Sequence, residues 1–194
     1  MGLVDLSGAY DLHVHANPEL FVRIGDDLDI ARHAAQSGLA GILIKNHFES
    51  TVGRAALADR MVEGTRVFGG LVLNWSSGGP NPLAVEAALK LGARQIWMPT
   101  VDAGAHAAAY GQTGGFSHQK SGLALARPAI TVLDREGRLK PEIKVIVELV
   151  KEAGAILGTG HLNRDEIFAL ADFALASGLK RLLITHPEFK PPAL

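Results

Sequence analysis

Tyr10-Asp11-Leu12-His13-Val14-His15 alternates polar and apolar residues, the period-two pattern of a β-strand whose two faces differ. Asp11, His13 and His15 then share one face, and Leu12 and Val14 the other. The rhythm of the chain beyond this strand decides the fold. Apolar runs rich in Val, Ile and Leu recur at Gly41–His47, Val67–Asn74, Gln95–Pro99, Ala155–His161 and Arg181–His186, spaced as in βα units. Helical stretches lie between them, with capping residues before them and glycine behind. They are Leu28–Ser37, Val52–Glu63, Pro82–Leu91, Pro141–Ala153 and Arg164–Ser177. The reading is an α/β fold with a largely parallel sheet, and a single domain over residues 1–194.

Composition narrows the function. Of 194 residues, 47% are hydrophobic and 20% charged, an ordinary globular balance, and the formal net charge is -1. That charge provides no electrostatic footprint for nucleic acid or an anionic membrane, so the expected partner is a small-molecule substrate. The absence of cysteine removes disulfides, thiolate metal sites and thiol nucleophiles. No apolar run reaches the ~18 residues of a membrane span, and a cytoplasmic protein is expected.

One region breaks the rhythm. Residues 100–127 are rich in Ala, Gly, Ser and Gln, with His106, Tyr110, Phe116 and His118 scattered among them. A long loop is expected there, without regular structure and placed as a lid over the carboxyl ends of the strands. After it, residues 129–139 read as a hairpin about Asp134-Arg135-Glu136-Gly137.

The chemistry lies in the histidines. Of the eight, His13, His15, His47, His161 and His186 fall in the last residues of the expected strands. Ligands bind at that end of a parallel sheet. Five imidazoles sharing one end, including a His-x-His, point to a divalent ion, or two. Zinc is favoured by the donor type, with manganese or iron as alternatives. Burying that many ring nitrogens without a partner would cost ~1–3 kcal/mol for each. His33, inside the first helix, reads as a packing or surface residue. Lys45 shares a face with His47 and reads as an ammonium that binds an anionic substrate group or pairs with Asp11. Asn74, at the end of the third strand, is placed to hydrogen-bond substrate, and Trp75 with Ser76-Ser77-Gly78-Gly79 to shape the pocket wall.

Asp11-Leu12-His13-Val14-His15 resembles the opening strand of the amidohydrolase-like metal-dependent hydrolases. Gly158-Thr159-Gly160-His161 and Ile184-Thr185-His186-Pro187-Glu188 resemble their fifth and sixth strand ends. Lys45-Asn46-His47 is similar instead to an element of the PHP phosphoesterases. The whole pattern is most similar to an uncharacterised amidohydrolase-like family described as cytosolic. The resemblance implies a TIM-like (β/α) barrel, here incomplete with about six βα units, and a long loop plus hairpin between strands 4 and 5. It also implies a metal-activated water attacking an amide, ester or lactone carbonyl. The family's proton-shuttling Asp on an eighth strand and its bridging fourth-strand ligand have no counterpart; carboxylation of Lys45 would be one substitute for the latter. Asp102 is the expected proton shuttle, with Asp11 second. Two alternatives are a PHP-type phosphoesterase and a non-catalytic metal- or ligand-binding barrel. An open edge left by six strands leads to the expectation of a homo-oligomer.

Overall fold

Each strand starts within a residue or two of where its apolar run starts, and all but the first stop before that run ends. In a computed structural model that describes residues 5–194, the strands are β1 (Tyr10–His15), β2 (Gly41–Lys45), β3 (Arg66–Val72), β4 (Gln95–Trp97), β5 (Ile156–Gly158) and β6 (Leu182–Leu183). They pair in sequence order, each parallel to its neighbour. His47, His161 and His186 therefore lie just past strand ends rather than within them.

The helices are α1 (Asp27–Gln36), α2 (Val52–Met61), α3 (Pro82–Lys90), α4 (Gly104–Tyr110), α5 (Pro141–Glu152) and α6 (Arg164–Ser177). Capping boxes start α1 (Asp26 with Asp29) and α6 (Asn163 with Glu166), and Asn81 caps α3. Helix α4 corrects the expectation of an unstructured segment: its Gly-Ala-His-Ala-Ala-Ala-Tyr run is rich in the strongest helix former. The hairpin shrinks to one antiparallel bridge, Leu133 with Leu139, around the expected turn.

Alternation along the strands separates two apolar layers. Ile42, Ile44, Leu71, Ile96 and Leu157 face the helices, where the two large clusters of buried side chains lie. Leu43, Val72 and Trp97, with Phe68 against them, fill the inner face. Trp97 is fully buried there, beside bare backbone. A Cβ on Gly70 would stand 2.3 Å from the Gln95 carbonyl oxygen and 2.6 Å from the Trp97 ring, and one on Gly158 2.6 Å from that ring.

In a flat sheet of this order the edge strands would be about 24 Å apart. Yet the rings of His13, on β1, and His186, just past β6, have centroids 4.5 Å apart. The sheet is thus curled into a half-barrel whose carboxyl ends converge, consistent with an incomplete TIM-like barrel.

Gly70→Ala should destabilise the protein by about 3 kcal/mol, because neither the Gln95 backbone nor the wedged indole can yield. Gly53→Ala, on an exposed and open face of α2, should stabilise it by about 0.5–1 kcal/mol. Urea unfolding of the two variants checks both; a tolerated Gly70→Ala would show that the indole does not wedge the sheet.

Candidate metal centre

The histidines converge. Ring centroids are 5.4 Å apart for His13 and His15, 4.7 Å for His15 and His47, 6.3 Å for His47 and His161, and 6.0 Å for His161 and His186. A cavity of about 500 Å³ opens over them, lined also by Lys45, Arg23, Phe116 and Phe189. Gly160 makes the turn that brings in His161: at φ +60°, its position for a Cβ would be 2.2 Å from the Met98 carbonyl oxygen, closeness that only glycine permits.

One ligand-bearing residue escapes the sequence reading. Glu19, in the loop between β1 and α1, has a fully buried side chain. Its Oε1 accepts from His47 N at 3.2 Å and its Oε2 accepts from Arg23 Nε at 2.5 Å. Ligand atoms of His15, Glu19 and His47 lie within 4.8 Å of one another, the one such trio among the described residues. Bonds of about 2.1 Å to a shared ion would close that spread with sub-ångström shifts. The pair His15 and Glu19 already shares a cation. Arg23 Nη2 donates to His15 Nδ1 at 3.1 Å, and that nitrogen stands 3.1 Å from Glu19 Oε2. Two lone-pair atoms so close need positive charge between or beside them. Two imidazoles and one carboxylate suit zinc, iron or manganese, so the residues present fit a divalent ion.

The loop is held from below by Arg54 of α2. It donates to the carbonyls of Ala16 (3.2 Å), Asn17 (2.7 Å) and Pro18 (2.8 Å), and is anchored by Asp27 at 2.6 Å. The sequence signal for Glu19 is its place: a carboxylate four residues past a His-x-His, in a loop that must face the ligand end.

Burial dominates the electrostatics. It holds the His15 imidazole down to about 4 and pushes His13, His47 and His161 far below the ordinary range, with Lys45 adding repulsion to each. His186 and His106 are lowered for the same first reason. Burial also lowers Lys45 to about 7. For Glu19, burial pushes upward, but the contacts with His15 and Arg23 outweigh it and the carboxyl lies below its usual value. The site is a set of neutral imidazoles around one carboxylate.

Hydrogen bonding assigns one tautomer. His106 Nε2 lies 2.8 Å from the Gly115 carbonyl oxygen and must donate to it. The Nδ1 of neutral His106 is then an acceptor. His161 Nδ1, 3.0 Å away, must be the donor, which leaves the lone pair of His161 on Nε2. The segment expected as a lid does lie on the histidine side, and it acts through this buried contact and through Phe116.

Other expected site residues are placed elsewhere. Asp102 accepts from Arg127 Nε (2.8 Å) and Trp75 N (2.9 Å), so it fastens the long loop and does not line the cavity. Asp11 is exposed beyond a pairing irregularity in β1 and accepts from His13 N. Neither is placed to shuttle a proton. Asn74 spends its amide on the His47 carbonyl, Thr100 Oγ1, Thr100 N and Asp102 N, so it supports the loop ends instead of binding substrate. Trp75 lines a separate pocket and donates to the Pro128 carbonyl. Lys45 does reach the cavity, but its partner is His13 Nε2 at 3.2 Å and not Asp11.

The model of DUF6282, a family of unknown function, matches residues 8–194, and the chain belongs to that family. No curated protein matches it. A crystal structure described as that of "a putative deoxyribose-phosphate aldolase from Coccidioides immitis" is similar at 14% identity and a TM-score of 0.47, over 94% of this chain and 60% of that one. The chain thus spans about three-fifths of that protein's length. Among the described residues no helix is long and apolar enough to cross a membrane.

The geometry makes two outcomes measurable. Between pH 6.5 and about 4 the unfolded chain takes up a proton that folded His15 refuses, so acidification across that window favours unfolding. The other lowered histidines act in the same direction, and Glu19 adds to it, since its contribution is lost as the pH falls through its folded value. Thermal unfolding of metal-free protein should show stability climbing from pH 4 to 6.5, with His15→Asn removing on the order of 3 kcal/mol of the rise. A flat profile would contradict the buried neutral cluster. Separately, long-range proton–nitrogen NMR should find His161 protonated on Nδ1. His106→Phe should shift that tautomer and His106→Gln, which can accept and donate in the same places, should keep it; an Nε2 proton in the wild type would overturn the assignment.

Proposed function

We propose that the protein is a metal-dependent hydrolase of the amidohydrolase-like kind, acting on the carbonyl of an amide, ester or lactone. The observation that carries this is the trio His15, Glu19 and His47, whose two imidazoles line a cavity shared with His161, His186, Lys45 and Arg23. Zinc is the preferred ion, from the two-imidazole, one-carboxylate donor set. A bound divalent ion would supply Lewis acidity, activating water and polarising the carbonyl.

The chain's own residues would do the rest. His161 is the residue placed to orient water: buried and neutral, with its Nε2 lone pair left open by the contact to His106, it can accept a hydrogen bond from the attacking water. His13 and His186 stand beside it and extend the donor set toward a second ion. Phe116 and Phe189 wall the cavity and exclude bulk water. Lys45 favours a second reading, phosphoester hydrolysis, because an ammonium on the cavity floor suits a phosphate.

Elemental analysis and competitive metal titration test the reading. Glu19→Gln and His47→Ala should each weaken zinc or manganese binding by about 100-fold or more. Asp102→Asn should leave affinity within about threefold and lower the melting temperature by about 2–4 °C for each kcal/mol lost. A screen of esters, lactones and amides with the retained metal restored should then show turnover that His161→Asn abolishes. Unchanged metal retention in both ligand variants would refute the site.

A further inference from the structure

Lys45 has no exposed surface, and among the described residues its Nζ makes no ion pair. Its neighbours are His13 Nε2 at 3.2 Å and the Trp97 ring, with a centroid 5.8 Å away. A buried ammonium without a counter-charge is costly and readily sheds its proton, and an anion placed beside it would hold that proton on. Arg23 lines the same cavity. One edge of its guanidinium, Nε and Nη2, is turned on Glu19 and His15, while Nη1 has no partner among the described residues. The charges do not balance on the cavity's inner side. Glu188 is the one acid lining the cavity and is exposed to solvent, while the buried carboxylate of Glu19, beside His15, is already paired with Arg23. Once Glu19 serves an ion, its charge is spent, and the two side-chain cations face the cavity with nothing to oppose them.

We infer that the substrate is an organic anion, whose carboxylate or phosphate group is received between Lys45 and Arg23 while its less polar part packs on Phe116 and Phe189. This deepens the hydrolase reading by naming the substrate class, and rests on that reading for calling the anion a substrate. The anion contact itself requires no ion. Arg23 offers a planar pair of donors suited to either group, and Lys45 a compact charge at the cavity floor. The apolar walls raise the strength of both contacts by excluding water. A cavity of about 500 Å³ accommodates a molecule of metabolite size.

The test uses full-length protein whose metal content has been measured. Calorimetric titration of metal-free protein with inorganic phosphate, and separately with butyrate, should give saturable binding of at least one, with sodium chloride as the control. Lys45→Met and Arg23→Met should each weaken it by about tenfold or more, the usual loss of one charge-assisted contact. Lys45→Met removes an unpaired buried charge, so it should fold at least as stably, which urea unfolding verifies. Tighter phosphate binding identifies a phosphorylated substrate, and tighter butyrate binding a carboxylate. Binding of neither anion, or binding that both variants leave intact, overturns the inference even where metal is retained. Anion binding in a protein that takes up no metal upholds it and sinks the hydrolase reading alone.

Discussion

The indole of Trp97 is the object around which the sheet is bent. It occupies the inner face of β4, and its neighbours on β3 and β5 are Gly70 and Gly158, whose missing side chains leave room for it. An inner face filled by one large ring and a few aliphatic side chains is narrow, and a narrow inner face requires a curled sheet. Curling in turn brings β1 and β6 together at their carboxyl ends, which no flat sheet of the same strand order could do. The ring also packs beneath two residues of the site. His13 lies with its ring centroid 6.1 Å from that of Trp97, and Lys45 Nζ lies 5.8 Å from the indole. Burial of this kind is why charge is so expensive there, and so why the imidazoles stay neutral.

Neutral imidazoles are what a metal site requires, since a protonated ring has no lone pair to give. The cluster is kept in that state by burial first and by the nearby Lys45 second. Glu19 is the counterweight. As the buried carboxylate of this centre it must be held against its own desolvation, and the His47 backbone N–H and Arg23 do so directly. Arg54, further out, fixes three successive carbonyls of the loop that carries it. The electrostatics of the centre therefore depend on two arginines that touch no other part of the histidine cluster than His15.

Much of this is legible in the residues and some is not. The strand and helix sequence can be read because apolar runs and cap residues are local signals; α6 matches its expected bounds residue for residue. The five histidines can be placed at one end because strand direction is set by the βα repeat. Strand ends are overestimated because apolar residues continue into the loops: Leu73 and Met98 are buried there without being in strands. Glu19 and Arg54 are invisible because their roles depend on a loop geometry that no period encodes. Asp102 and Asn74 look catalytic and substrate-binding from position alone, and position does not reveal that their hydrogen-bonding capacity is already taken.

The ligand-bearing loops are unequally fastened, and that inequality has a consequence for how the centre works. His47 and His161 are almost wholly buried, and each is tied by a second side chain, Thr100 for one at 2.9 Å and His106 for the other at 3.0 Å. His186 is exposed and sits at φ +49°, in the left-handed region that a non-glycine residue enters at some cost. Its strand contributes two residues to the sheet, the least of the six. Local opening follows the weakest attachment, so it is expected first at the β6 end, and the trio of His15, Glu19 and His47 is the better fastened side. A firmly fastened set of donors beside a looser edge is an arrangement in which local opening need not disturb the groups that preorganisation would require.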